Sequence, residues 1–117
     1  MDLIFPITLF RELDSFRDYW FEREGSYGNQ LPDAVKFDDA AVEFGRHTLE
    51  LFQDCRFSEL DFVVDRLELE HSTSDEIGQA SIEQLIRVAA ADWWDSGVGR
   101  EALIAILPVS LKSFAQA

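Results

Sequence analysis

A single cysteine, Cys55, in a chain of 117 residues excludes an intrachain disulfide and a cysteine-built zinc site. A lone thiol fits a reducing compartment. Three prolines and six glycines leave long stretches free of helix breakers. No run approaches the roughly 18 apolar residues that a membrane-spanning helix needs. Met1-Asp2-Leu3-Ile4-Phe5-Pro6 has no basic start, and its apolar run is too short for a signal peptide, so a cytoplasmic protein is expected. Lysine occurs only at Lys36 and Lys112. Glycine-rich phosphate loops and zinc-protease or hydrolase motifs are missing, so no catalytic residue, cofactor or metal is expected.

What is present is apolar and acidic. Hydrophobic residues make up 47%, with 10 Phe and 3 Trp, enough for one packed core. The net charge is −13, from 23 acidic and 10 basic residues. Such a chain repels nucleic acid and anionic membranes and attracts basic proteins. The charge is concentrated: residues 37–72 hold ten acids and three bases, net −7, whereas the segments on either side carry −3 each. Solubility alone would not require that concentration.

Apolar spacing predicts an all-α domain of five to six helices, with no competing strand signal. Leu9, Leu13, Phe16 and Trp20 recur at helical spacing, widened by Phe10 and Phe21, so the first helix runs over about 7–24 and stops at Gly25. Residues 25–36 read as a loop, with turns at Gly28-Asn29 and Pro32-Asp33 and with Tyr27 and Leu31 folding back. Asp38 caps a second helix whose stripe is Phe37, Ala41, Phe44, Thr48, Leu51 and Cys55. Ser58-Glu59-Leu60-Asp61 resembles a capping box and opens a third, with Leu60, Val63, Val64, Leu67 and His71 on one face. Thr73-Ser74-Asp75-Glu76 fits the box itself and opens the most apolar helix, expected to be central and to end at Gly97. A short helix over 100–107 stops before Pro108, and 109–116 add a turn or two. Short connections imply antiparallel neighbours, and two successive hairpins suggest a HEAT-like arrangement, although no repeat is visible.

Glu43, His47 and Glu50 share a helical face, but one histidine with carboxylates is a poor zinc set. His47 therefore reads as a surface histidine between two solvated acids. His71 reads as the end of its stripe, where a cation suits the helix C-terminus. Cys55 reads as a small buried hydrophobe. The acidic faces carry more information. Glu43, Glu50 and Asp54 line one, and Asp61, Asp65 and Glu68 line another. Glu50 with Asp54 and Asp61 with Asp65 are like-charge i,i+4 pairs, each costing a few tenths of a kcal/mol in an isolated helix. These six residues are the expected contacts for a basic partner. Trp93 falls with Ile82, Ile86 and Ala89 and is core. Trp94 points about 100° away, and with Tyr27 it is a candidate interface anchor.

Four stretches carry a resemblance: Leu31-Pro32-Asp33-Ala34-Val35-Lys36-Phe37-Asp38-Asp39-Ala40-Ala41, Val63-Val64-Asp65-Arg66-Leu67-Glu68 followed by Thr73-Ser74-Asp75-Glu76-Ile77, Ser81-Ile82-Glu83-Gln84-Leu85, and Leu107-Pro108-Val109-Ser110-Leu111. In them the chain resembles small, acidic, all-helical bacterial immunity proteins of polymorphic and contact-dependent toxin systems. The resemblance implies a non-catalytic protein that neutralises a cognate toxin by direct binding. A basic, nuclease-like toxin fits the charge. A general adaptor or regulatory protein and a nucleic-acid mimic are the other readings.

Overall fold

The computed structural model describes residues 2–22 and 30–116. Among them there are seven α-helices, two 3₁₀ turns and no strand: α1 (Ile7–Glu12), α2 (Asp14–Glu22), α3 (Phe37–Gln53), α4 (Phe57–Thr73), α5 (Glu76–Asp95), α6 (Arg100–Ile106) and α7 (Lys112–Gln116). The 3₁₀ turns span Pro32–Ala34 and Val109–Leu111.

The additional helix comes from a break at Leu13, whose backbone leaves the helical region (φ −102°, ψ 87°). Leu13 and its neighbours Leu9, Phe10 and Phe16 are all buried, so the apolar spacing runs through the break without marking it. No glycine or proline signals it either. Arg17, from α2, donates to the Arg11 carbonyl and pairs with Asp14, occupying the carbonyl that the early stop frees.

The helix ends also correct the expected caps. Asp38 does not cap α3; it lies in the first turn with Asp39, where both carboxylates face the positive end of the dipole. Helix α4 starts at Phe57 with no side-chain cap, so Ser58 lies inside it. Thr73 belongs to the end of α4, and Asp75 is the true cap of α5, accepting from the Gly78 amide at 2.9 Å.

Helix α5 is central, packing against α3, α4, α6 and α7. Its approach to α3 is tight. A Cβ at Gly45 would stand 3.1 Å from the Ala89 Cα, so glycine is what lets the two backbones meet. Trp93 is fully buried there, and its indole N–H donates to the Thr48 hydroxyl at 3.1 Å. Thr48 in turn donates to the Gly45 carbonyl at 2.7 Å, so no polar atom of this trio is left without a partner. A second centre is aromatic: Phe5, Phe16 and Phe44 lie with ring centroids 5.4–5.9 Å apart.

Cys55 departs from its expected place on the buried stripe. It is exposed and adopts a left-handed conformation (φ 58°). The Arg56 amide donates to Leu51 at 2.9 Å and the Cys55 amide to Phe52 at 3.1 Å, the two bonds of a Schellman ending. Cys55 thus holds the position that glycine usually fills. Replacing it removes the steric cost of Cβ in that conformation, so Cys55→Gly should stabilise the fold by about 1 kcal/mol in urea titration. An unchanged or lowered midpoint would show that this turn carries no strain.

Candidate partner-binding surface

Four of the six expected acidic contacts lie free on the surface. Glu50 and Asp54 are exposed at the C-terminal part and end of α3, and Asp61 and Asp65 on α4. None of these four makes an ion pair among the described residues. Glu68 is exposed too and accepts a hydrogen bond from the Ser110 hydroxyl at 3.2 Å.

Glu43 is a correction. It is 4% exposed and belongs to the interior, with its Oε1 3.2 Å from an Arg46 guanidinium nitrogen. His47, expected at the surface, is 3% exposed. The reason is shared: α3 is covered by α5 on one side and by α2 on the other, so its buried arc is wider than one stripe. His47 meets α2 directly. Its ring lies 5.1 Å from Tyr19 and 5.7 Å from Phe16, and its Nε2 shares a 3.0 Å hydrogen bond with the Ser15 hydroxyl. Burial, aided by the nearby Arg56 guanidinium, lowers its pKa from 6.5 to about 4. Tyr27 lies outside the described residues.

Around His47 the fold builds a feature that no single stretch of sequence displays. Two adjoining hollows share Ser15, Asp18 and Arg56. The larger, about 410 Å³, adds Glu12, Asp14, Ser58, Glu59 and Phe62. The smaller, about 170 Å³, adds Tyr19, Glu22, His47 and Glu50. Together they form an open cleft between α2, the end of α3 and the start of α4. Six carboxylates line it against one guanidinium, Arg56, which is itself paired with Glu59. Arg66 pairs with Glu12 at 3.6 Å along its edge. Among the described residues no three His, Cys, Asp or Glu side chains are placed to hold a metal ion.

Trp94 sits in different surroundings. Trp93 is core as expected, and Trp94 is 57% exposed. The Arg100 guanidinium lies 5.1 Å from its ring centroid, and Arg87, Ala90, Ala91 and Asp95 complete a hollow of about 210 Å³. This hollow shares no residue with the acidic cleft, and two of its three charges are positive. Trp94 therefore offers its face to an internal cation in a locally basic setting.

The buried histidine gives a pH signature. Well above pH 6.5 it is neutral whether folded or unfolded. Between pH 6.5 and about 4 the unfolded chain takes up a proton that the folded one excludes, so stability falls with pH, by about 3 kcal/mol across the window. Urea unfolding of wild type and His47→Gln at pH 7 and pH 4 checks this: the variant should lose markedly less on acidification. Equal losses would show that His47 titrates normally.

No family model, curated protein or solved structure matches this chain.

Proposed function

We propose that this chain is an immunity protein: a non-catalytic, cytoplasmic inhibitor that neutralises a basic, nuclease-like toxin by binding it directly. The observation that carries the reading is the set of exposed carboxylates Glu50, Asp54, Asp61 and Asp65, none of them in an ion pair among the described residues, in a chain of net charge −13. They lie on the hairpin elements α3 and α4, whose short connection suits antiparallel packing. The acidic cleft beside them extends the same field. An enzyme that cleaves nucleic acid needs a basic surface for phosphate, and a surface of opposite sign can occupy or flank it. The resemblance to small acidic immunity proteins is what narrows a basic partner to a toxin.

The carboxylates act mainly on rate. Exposed charges each contribute only about 0–1 kcal/mol to affinity, but a summed field lifts association toward 10⁸–10⁹ M⁻¹s⁻¹ at low salt. An inhibitor that must reach its toxin before damage accumulates gains most from that term.

Co-expression with the C-terminal domain of the cognate toxin, sought among the genes beside this one, should rescue growth. Equal killing with and without this chain would refute the immunity reading. With that toxin in hand, stopped-flow mixing tests the surface. Reversing Glu50, Asp61 and Asp65 together to lysine should slow association by about tenfold at low salt and flatten its salt dependence. An unchanged rate at every salt concentration would move the interface elsewhere.

A further inference from the structure

Helix α4 is apolar on two sides. Leu60, Val63, Val64 and Leu67 face the core. Phe62 and Leu69, seven residues apart, are each 45% exposed and fall on the opposite side of the helix. A single exposed Phe or Leu needs no explanation. Two of them one helical repeat apart, pointing directly away from the buried stripe, form a half-exposed line that no other helix among the described residues packs over. Phe57, also half exposed, is not part of it: its ring packs edge-on against Phe52 at 5.9 Å.

The surroundings of the line specify what can cover it. Asp65 lies between Phe62 and Leu69 on the same face, and Asp61 and Glu68 flank it. Arg66 has its guanidinium 5.2 Å from the Phe62 ring centroid and is held by Glu12 at 3.6 Å, so it closes one edge. Phe62 also lines the acidic cleft, which makes the apolar line continuous with the acidic surface. A second copy of this chain is a poor occupant. Antiparallel two-fold pairing of α4 with α4 would set Asp61, Asp65 and Glu68 against the same three carboxylates. A complement must bring apolar groups about 10 Å apart, the span of seven helical residues, with its cations on the side of Asp61, Asp65 and Glu68, away from Arg66.

We infer that the outward face of α4 is the docking strip for a cationic amphipathic helix of the partner, with Phe62 and Leu69 as the anchors that lose water on binding. The inference rests on the partner being basic, as proposed above, and replaces Trp94 and Tyr27 in the anchoring role. Carboxylates draw the partner in, and the two apolar side chains retain it, because lasting affinity comes from desolvated anchors more than from exposed charge.

The probe is a synthetic helical peptide with leucines at i, i+3 and i+7 and lysines along one flank. Its control has the same composition with the leucines scrambled. Both are titrated into the isotopically labelled full chain and followed by amide chemical shifts and isothermal calorimetry. The patterned peptide should shift α4 amides from Ser58 to Ser72 and bind about tenfold tighter than the scrambled one, a difference of about 1.4 kcal/mol. Phe62→Ser with Leu69→Ser should abolish that difference and leave the circular dichroism spectrum intact, since both side chains are exposed. If the two peptides bind wild type equally, or the shifts centre on Glu50 and Asp54, the strip is refuted while the basic-partner reading stands. If neither peptide binds, the strip is refuted, and the basic-partner reading is left to the co-expression test. If wild type sediments as a dimer and the double variant as a monomer, the occupant is a second copy and the inference is wrong.

Discussion

The close approach of α3 to α5 is the constraint on which the other placements depend. It exists because Gly45 has no side chain where Ala89 passes, and because the Trp93 indole finds an acceptor in Thr48 inside the contact. With these two helices locked, α5 can present its remaining faces to α4, α6 and α7, and α3 its second face to α2. That second face is what buries Glu43 and His47. A larger residue at position 45 would push the helices apart and stretch the hydrogen bond of the Trp93 N–H to Thr48, adding the cost of an unsatisfied buried donor to that of the lost packing.

Charge is distributed to suit this core. Arg17, Arg46, Arg56 and Arg66 each meet a carboxylate: Asp14, Glu43, Glu59 and Glu12. All three bases of the acidic middle segment are therefore engaged, and none is left to neutralise Glu50, Asp54, Asp61 or Asp65. Like-charge neighbours on a helix surface cost only a few tenths of a kcal/mol each, so a core built on Trp93, Phe16 and Phe44 tolerates them. The result is a negative surface that the fold supports without requiring it.

Most of the helices were legible in the sequence because burial follows the 3.6-residue period. Leu60, Val63, Val64 and Leu67 went inward as their spacing demanded, Gly97 adopts φ 90° just after α5, and the division of Trp93 from Trp94 follows from the 100° between successive helical residues. What was illegible depended on contacts between segments. The break at Leu13 interrupts the backbone but not the apolar pattern. Glu43 and His47 look like surface residues until a second helix covers α3. The acidic cleft joins side chains from positions 12 to 62, which no periodicity links. Cys55 failed for a local reason: the helix ends before it, in a turn whose usual signal is glycine.

That turn has electrical consequences. By reversing direction at Cys55, the chain places Arg56 at the cleft, the one guanidinium among the residues lining it, beside His47 and in contact with Glu59. Burial disfavours a charge on the ring, and a guanidinium nearby that cannot lose its proton opposes it further, so His47 stays neutral through the physiological range. A charged His47 would oppose the field of Asp18, Glu22 and Glu50 at the floor of the cleft. Neutral, it leaves those carboxylates to set the sign of the potential, and its ring still holds α2 against α3 through Tyr19 and Phe16. The abundance of acids sets the sign of the cleft, and the burial of His47 keeps one further positive charge out of it.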